Sequence, residues 1–513
     1  MTTTDAAPLP RQIPYIIATE GCERFGFYGM RNILTPFLVS TLLLFLPLAE
    51  RAGAAKDVFH TFVIGVYFFP LLGGWIADRF AGKYPTILYL SMVYVVGFVC
   101  LSLFVDNRAG FYTGLFLIAL GSGGIKPLVS AFVGDQFDSR NKHRAKVVYD
   151  AFYWIINFGS FFASLLMPIF LRQYGPAIAF GIPGALMAVA LVVFWLGRHR
   201  YVNVAPTAAD PHSLLRVART ALLTRAPGQA RPGLAVAVFG GVAALALLAS
   251  IPIFGVVIGV CLSLGALIAF GGVGTSLQLE RARGTHPDEA VDGVRVVLRV
   301  LIVFALVTPF WSLFDQKAST WVLQGAQMVK PAWFHEAQMQ ALNPMLVLLL
   351  IPFNNLVLFP ALRRMGIEPT ALRRMGTGIA LAGVAWIIAG VLQLAIDAGD
   401  AVTIAWQVVP YAFLTLGEVL VSATGLEFAY SQAPRSMKGA IMSFWMLSVT
   451  YGNLWVLLAD AGIRNETATT WIAASGLHET AFLMFFFAGF ALLTALVFAL
   501  YARRYPMQDF YRV

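Results

Sequence analysis

The feature that most restricts the fold is a series of apolar segments, each about as long as a helix needs to cross a bilayer. Such a helix takes about 20 apolar residues, and segments of this kind recur from about residue 14 to residue 503. Only 12% of the 513 residues are charged, against about 25% in soluble domains. The chain is therefore predicted to be an all-α integral membrane protein that crosses the membrane many times.

The apolar segments form two sets of six, separated by a polar linker that contains two more. The first set covers about 14–47, 57–79, 84–105, 110–137, 145–171 and 175–198. The two apolar segments of the linker lie at about 233–250 and 252–274. The second set covers about 295–324, 338–362, 372–396, 402–432, 437–460 and 477–503. This pattern predicts 14 transmembrane helices: an N-terminal six-helix bundle (14–198), a linker with two inserted helices (199–294), a C-terminal six-helix bundle (295–503), and tails at 1–13 and 504–513.

Charge distribution predicts that both termini are cytoplasmic, because Lys and Arg concentrate in the loops on that side. With this orientation the outside holds only six of the 36 Lys and Arg residues, namely Arg51, Lys56, Arg108, Arg172, Lys330 and Arg464. The net charge of +10 then reflects cytoplasmic loops, and nucleic acid is not an expected partner. The first apolar segment carries charges and lacks a small-residue cleavage site, so a retained span is expected rather than a signal peptide.

Charged residues occur inside the first predicted span, between residues 20 and 31. Helical spacing places Glu20, Glu23, Arg24, Tyr28 and Arg31 on one side of that helix. Charges in a transmembrane segment usually face a water-filled cavity. Glu20 precedes Arg24 by four residues, an order that favours an ion pair, but a purely structural pair would leave Glu23 and Arg31 unexplained.

Three later spans in the chain also carry polar residues at membrane depth. Lys126 lies beside Pro127, which interrupts the fourth span, and this position predicts a carboxylate or a substrate as its partner. Asn157, in the fifth span, suits an interhelical hydrogen bond more readily than a ligand. Asp315, in the seventh span, needs a partner on another helix; Arg31 is the candidate, and a fixed salt bridge near the outer interface is the alternative.

The C-terminal half contributes further polar positions. Glu418 and Ser422 share one face of the tenth span. Asn343 precedes Pro344 at the start of the eighth span, where it either caps the helix or contacts a ligand. Glu427 lies near the cytoplasmic end of the tenth span, where contact with solvent or a loop is expected.

The two halves offer charges of opposite sign to a shared cavity. Arg24, Arg31 and Lys126 are cations of the N-terminal half, whereas Asp315 and Glu418 are anions of the C-terminal half. Such a cavity suits a zwitterion, whose carboxylate would meet the cations and whose ammonium would meet Glu418. Without substrate the same charges can pair across the halves and act as gates.

Proton binding is the expected chemistry of the two glutamates in the first span, because Glu20 and Glu23 are desolvated and lie beside cations. An enzyme would instead need a nucleophile–base pair or a metal cluster. The cysteines Cys22, Cys100 and Cys261 show no disulfide framework or zinc spacing. The seven histidines are all expected in loops or at helix ends: His60, His143, His199, His212, His286, His335 and His478. No enzyme activity, metal or cofactor is therefore predicted.

Sequence motifs indicate a family. Glu-x-x-Glu-Arg-Phe-x-x-Tyr-Gly, at Glu20–Gly29, resembles the signature of the proton-dependent oligopeptide transporters. The loop at Gly73–Lys83 resembles a motif of the major facilitator superfamily, to which those transporters belong. Further blocks of the family follow in order, at Gly121–Phe137, Phe152–Gly159, Phe310–Trp321, Gly417–Glu418 and Tyr430–Pro434. The two inserted helices resemble those of bacterial members.

The resemblance implies a major facilitator fold and uptake of di- and tripeptides together with protons, by alternating access. It also implies a multi-pass protein of the bacterial inner membrane, with protons, peptides and the lipid bilayer as its partners, that works as a monomer.

The resemblance also implies roles for individual residues. Coupling of proton and peptide is implied for Glu20, Glu23 and Arg24, with Arg24 also in contact with the peptide and Asp315 as a further candidate for proton coupling. The peptide carboxylate would be held by Arg31, Lys126 and Asn157, and the amino end by Glu418 and Asn343, with Ser422 beside them. Side-chain pockets would be lined by Tyr28, Tyr67, Trp311 and Trp445. The extracellular gate would be Arg31–Asp315, and the intracellular gate Lys126–Glu418.

Three positions depart from the family pattern, and two other functions remain as alternatives. Val133, Lys317 and Ala423 stand where Gly, Gln and Pro are usual, and Lys317 is expected to alter the local gate or the proton affinity. A relative that carries nitrate or another small anion would not need Glu418. A membrane receptor would not need a network of ion pairs across both halves.

Overall fold

The computed structural model describes residues 9–138, 141, 144–206, 210–225, 228–432 and 437–507. Several predicted features lie outside these residues: most of both tails (1–8 and 508–513), His143, and the end of the last family block, Ala433 and Pro434. The same holds for Arg140, Lys142 and Arg435, which count among the Lys and Arg residues assigned to cytoplasmic loops. The described residues form helices and two isolated β-bridges.

The N-terminal half consists of helices that closely follow the apolar segments. They are α1 (Ile13–Phe37), α2 (Leu48–Ile76), α3 (Lys83–Leu103), α4 (Arg108–Ser122), α5 (Leu128–Asp135) and α6 (Ala145–Leu196). α6 consists of two helical segments joined at Gly175, whose φ of 80° and ψ of 171° are not helical. A residue with a Cβ rarely adopts that φ, so glycine suits this joint.

The linker and the C-terminal half complete the chain. The linker contains α7 (Leu214–Leu223), α8 (Pro232–Ala249), α9 (Ile251–Phe254) and α10 (Val256–Gln278). The C-terminal half contains α11 (Asp288–Asp315), α12 (Thr320–Gln327), α13 (Leu342–Phe353), α14 (Phe359–Arg364), α15 (Ala371–Asp397), α16 (Val408–Gln432), α17 (Lys438–Ile463), α18 (Glu466–Ala474) and α19 (Glu479–Arg504).

Within the described residues, 11 helices are long and apolar enough to cross a membrane. In that number, α6 counts once although Gly175 divides it. α1, with its buried charges, and α4, with 15 residues, do not belong to the 11. The total of 14 transmembrane helices, the orientation of the termini and the predicted domain boundaries remain predictions.

Several predicted helix boundaries were wrong. The first span does not reach residue 47: α1 ends at Phe37 and one π-helical turn continues to Leu42. α2 begins at Leu48, nine residues before the predicted start at 57, because the intervening residues are good helix formers that are not uniformly apolar. The interruption of the fourth span was predicted from Pro127, and it lies between Ser122 and Leu128, where two glycines and the proline weaken the helix.

The linker also contains a helix that apolar length alone did not predict. α7 has ten residues, and its Val217 and Ala221 are fully buried. Gln278, in α10, donates hydrogen bonds to the carbonyl oxygens of Ala221 and Leu222. The polar stretch is therefore partly ordered by packing on the inserted helices.

Two large clusters of buried side chains lie in the two halves of the chain. The first is formed mainly by α1–α6 and contains the rings of Phe37 and Phe111, whose centroids are 4.9 Å apart. The second is formed mainly by α11–α19 and contains Trp321 and Tyr411, whose rings are 5.0 Å apart. The charged face of α1 and the polar residues of α11 and α16 lie among the helices that form these two clusters.

Candidate functional site

The first part of the site is the group of charges on α1. Arg24 Nε lies 2.6 Å from Glu20 Oε1 and 3.1 Å from Glu23 Oε2. All three side chains are buried, the two glutamates almost completely. Tyr94, from α3, donates a hydrogen bond of 3.2 Å to Glu23 Oε1. Two carboxylates therefore share one guanidinium inside the membrane domain.

Glycines on α1 allow this helix to lie close to α6. A Cβ at Gly26 would lie 3.1 Å from the Pro183 carbonyl oxygen, and one at Gly29 would lie 2.8 Å from Met167 Cγ. Small residues permit such close helix contacts in membranes. The tight packing on α6 fixes the rotation of α1 and so the direction in which its charged residues point.

The second part of the site joins the two halves. Arg31 Nη2, on α1, lies 2.5 Å from Asp315 Oδ1, at the end of α11. Both residues are buried. The partner that the sequence suggested for Asp315 is therefore the one found, although its action as a gate remains a proposal.

Asp315 has a second partner that the sequence analysis missed. Asn453 Nδ2, on α17, donates a hydrogen bond of 2.7 Å to Asp315 Oδ2. The Oδ1 atom of Asn453 lies 2.7 Å from Nδ1 of His60, and Nε2 of His60 lies 2.9 Å from Ser319 Oγ. His60 thus extends the Arg31–Asp315 pair into a buried network across both halves.

The expectation that every histidine lies in a loop or at a helix end was wrong for His60. It lies 12 residues inside α2 and is fully buried. The error follows from the predicted start of that helix at residue 57, which placed His60 near a terminus. The signal for the earlier start is the helix propensity of the Ala-rich stretch that precedes His60.

The third part of the site is the interrupted fourth span. α4 ends at Ser122 and α5 begins at Leu128, so Lys126 lies in the break between them. Its Nζ atom lies 3.8 Å from the ring centroid of Phe27 and 4.9 Å from that of Tyr67. These are cation–π distances, and they hold the ammonium near the side chains of α1 and α2.

The fourth part of the site is formed around Glu418 on α16. Asn343 Nδ2 donates to Glu418 Oε2 at 2.5 Å and to Thr415 Oγ1 at 3.1 Å. Lys317 Nζ donates to Asn343 Oδ1 at 2.9 Å. Asn343 does not cap its helix, so that alternative was wrong. Lys126 and Glu418 have different partners here, and the predicted pair between them is not formed.

The remaining candidates lie around these groups. Asn157 Nδ2 donates to the Tyr153 carbonyl oxygen of its own helix rather than to another helix. The rings of Trp311 and Trp445 are buried and 5.9 Å apart. Tyr28, Tyr67 and Ser422 are half-buried. Over the described ranges, no group of three or more His, Cys, Asp or Glu residues is placed to hold a metal ion.

A further set of cross-half pairs lies between α2 and α17. Lys56 Nζ lies 2.9 Å from Asp460 Oδ1, and Arg464 pairs with Asp57. From the sequence, Lys56 and Arg464 were expected only as positive charges on the outer side of the membrane. These pairs could not be predicted, because they depend on α2 and α17 lying side by side in the fold.

Helices long enough to cross a bilayer, with buried charges shared between two halves, define a polytopic membrane protein of the transporter class. Comparison with known families identifies the group within that class: the profile of the POT family matches residues 84–470. The chain therefore belongs to the POT family, whose members are transporters and not enzymes.

Solved structures support the same assignment. The POT family transporter PepTSo, known from a crystal structure, shares 65% sequence identity with this chain. The match covers 98% of this chain and 99% of PepTSo, with a TM-score of 0.96. An auto-inhibited POT family peptide transporter is 64% identical, with the same coverage and TM-score.

A more distant curated relative is Solute carrier family 15 member 2 of Oryctolagus cuniculus. It is 33% identical over 405 residues, which are 76% of this chain and 49% of that protein. The chain thus matches about half the length of this relative.

Proposed function

We propose that this chain is a proton-coupled symporter that takes up di- and tripeptides by alternating access. The observation that carries the proposal is the unequal state of the two cross-half pairs. Arg31 and Asp315 are joined at 2.5 Å, whereas Lys126 and Glu418 are held by separate partners. An arrangement with one pair closed and the other apart suits one state of an alternating-access cycle.

The charges left apart match the two ends of a peptide. Lys126 is held by aromatic rings, and no described carboxylate forms an ion pair with its ammonium, so the carboxylate of a peptide would gain a charge-assisted hydrogen bond there. Glu418 offers a carboxylate to the peptide's ammonium group from the opposite half. The proposal assigns Arg31 and Asn157 to the carboxylate end, Asn343 and Ser422 to the amino end, and Tyr28, Tyr67, Trp311 and Trp445 to the peptide's side chains.

The glutamates of α1 supply a place for the transported proton. With both ionised, Glu20, Glu23 and Arg24 carry one excess negative charge in a buried site, and burial of unbalanced charge is costly. Binding one proton removes the excess and leaves a single ion pair. Glu20 Oε2 is buried without a hydrogen-bond partner among the described residues, so it is an acceptor available to that proton.

The function is tested by uptake of alanylalanine into proteoliposomes that contain the purified protein. We expect accumulation above the external concentration when the outside is made acidic, and only equilibration without a gradient. A chloride–nitrate exchange assay on the same vesicles tests the anion alternative. Nitrate flux without peptide uptake would replace the proposed function with the alternative.

The same scheme places the protein in the inner membrane of a bacterium, where an inward proton gradient is available. It needs only protons, peptides and the bilayer, and a single chain contains both halves of the cavity. Reconstitution at one chain per vesicle tests this last point, because uptake would vanish there if an oligomer were required.

A further inference from the structure

The structure gives a role to Lys317, the position where the family pattern has Gln. This lysine follows Asp315 by two residues, in a short 3₁₀ turn after α11. It is 5% exposed. Its Nζ atom lies 2.9 Å from Asn343 Oδ1 and 3.2 Å from the ring centroid of Phe314. A buried ammonium is therefore fixed at the amino-end part of the site.

The Asn343 amide connects this ammonium to Glu418. Asn343 Oδ1 accepts from Lys317, while Asn343 Nδ2 donates to Glu418 Oε2 at 2.5 Å. An amide placed between a cation and an anion is polarised in one direction by both, which strengthens both hydrogen bonds. The orientation of Asn343 is thus determined by Lys317 on one side and Glu418 on the other.

We propose that Lys317 is a built-in competitor of the peptide's amino group: its ammonium occupies Asn343 Oδ1, one amide away from Glu418, in the empty protein and yields this position to substrate. This inference rests on the proposed function and adds a residue that sets specificity at the amino end. The positive charge of Lys317 acts on Glu418 through the intervening amide before substrate arrives, so an incoming ammonium gains less from that carboxylate than it would gain if Lys317 were uncharged.

The local balance of charge leads to a specific consequence. Arg31, Asp315, Lys317 and Glu418 together carry two positive and two negative charges. Removal of the Lys317 charge leaves the amino-end subsite negative. A peptide with a free amino group should then bind more tightly, whereas an N-acetylated peptide, which brings no cation, should gain little.

The test is a comparison of two competitors in counterflow, where no proton gradient is imposed. Labelled alanylalanine is exchanged in proteoliposomes, and the inhibition constants of unlabelled alanylalanine and N-acetyl-alanylalanine are measured. We expect the ratio of the two constants to shift by about tenfold in favour of the free peptide in Lys317→Gln and Lys317→Met, the size of effect that one charged hydrogen bond supplies. Lys317→Arg should keep the wild-type ratio.

Lys330→Gln is the matched control, because Lys330 is a half-buried lysine that contacts Glu336 and the end of α12 instead of the site. A second control uses Glu418→Gln. In the Glu418→Gln variant, the additional change Lys317→Gln should no longer shift the ratio of inhibition constants in favour of the free peptide. The reason is that the carboxylate that attracts both Lys317 and the peptide's ammonium is absent.

An unchanged ratio in both Lys317→Gln and Lys317→Met would overturn the inference, as would an equal shift in the Glu418→Gln background. If a variant shows no exchange, the same ratio is measured from the stabilisation of the detergent-solubilised protein against heat by each competitor. Absence of exchange by the wild-type protein would instead contradict the proposed function, so the two failures are distinguishable.

Discussion

Single residues on α1 carry the charge imbalance on which proton coupling depends. Arg24 lies within ion-pair distance of both Glu20 and Glu23, and the guanidinium stays charged under all ordinary conditions. One carboxylate can therefore gain or lose a proton while the other keeps Arg24 in place. Tyr94 donates a hydrogen bond to Glu23, and no such bond to Glu20 is found among the described residues, so the two carboxylates are not equivalent.

The first prediction concerns Glu23→Gln. The amide keeps the size of the side chain and an oxygen for Tyr94, but it cannot bind and release a proton. Accumulation driven by a proton gradient should be lost, so the internal concentration of alanylalanine should not exceed the external one, while counterflow exchange persists. Both are measured in proteoliposomes.

Glu427→Gln is the control for that prediction, because Glu427 is an exposed carboxylate that pairs with Arg374 at 3.6 Å on a neighbouring helix. It should accumulate peptide as the wild type does. Accumulation at the wild-type level by Glu23→Gln would show that Glu23 does not couple proton to peptide.

The second prediction concerns Glu418→Gln. The substitution removes the carboxylate that would meet the peptide's ammonium and leaves Lys317 without its counter-charge. The apparent affinity for alanylalanine should fall by about tenfold or more, the loss expected for one charged hydrogen bond. N-acetyl-alanylalanine should be affected less, and competition assays measure both. Equal uptake of free and N-acetylated dipeptides by the wild type would contradict the zwitterion site.

At the scale of helices, close contacts between α2 and the break after α4 hold Lys126 in position. A Cβ at Gly73 would lie 2.0 Å from the Gly123 carbonyl oxygen. The backbones of α2 and of this turn are therefore as close as glycine allows. Pro127 and these glycines act together, because the break places Lys126 between two helices and the close contact fixes the backbone there.

The third prediction concerns Gly73→Ala. The added methyl group would collide with backbone that cannot move aside easily, and overpacking of this kind costs about 1–3 kcal/mol. The melting temperature in detergent should fall. Gly74→Ala is the matched control, because a Cβ at Gly74 meets nothing within 4 Å. Equal melting temperatures for the two variants would show that the α2 contact is not tight.

The sequence predicted helices well where apolar length decided them, and less well where something else did. The spans of α3, α15 and α19 were placed within about three residues of their observed ends. The start of α2 was missed because it depends on helix propensity and not on hydropathy. α7 was missed because an amphipathic helix on a surface needs a packing partner, here Gln278 of α10, that the linear sequence does not reveal.

In the candidate site, too, some features could be predicted from the sequence and others depend on packing. The charges on α1 and the Arg31–Asp315 pair were predictable, because buried charges in apolar segments are conspicuous and must find partners. Asn453 and His60 were not, since a neutral polar residue in a span gives no indication of what it contacts. Lys317 was recognised as a departure from the family pattern, but its hydrogen bond to Asn343 depends on where the turn after α11 meets α13, which packs beside α16.

For the whole molecule, ion pairs that join the two halves should resist their separation on one side. Lys56–Asp460 and Asp57–Arg464 connect α2 with α17, and the Arg31–Asp315 pair connects α1 with α11. Alternating access would require these contacts to break and re-form in each cycle.

The fourth prediction tests this requirement with the variant Lys56→Cys/Asp460→Cys. A short bifunctional thiol reagent should join the two cysteines and reduce uptake to background, because the halves can no longer separate there; each single-cysteine variant should keep its activity after treatment. A reagent with a cleavable disulfide allows recovery on reduction. The native cysteines Cys22, Cys100 and Cys261 are free, so treated wild-type protein is a further control. Undiminished uptake by the cross-linked protein would show that this side does not open.

The inserted helix α10 touches both halves through a small apolar cluster. Ile258 and Cys261, of α10, meet Ile64 of α2 and the leucines Leu454 and Leu457 of α17. Aliphatic side chains surrounded by lipid gain little from any one partner over another, since lipid tails are equally apolar. A helix can therefore slide along such a surface with little change in energy. The Tyr451 hydroxyl donates a hydrogen bond to the Cys261 carbonyl oxygen, so the insertion can stay attached to α17 while α2 moves past it.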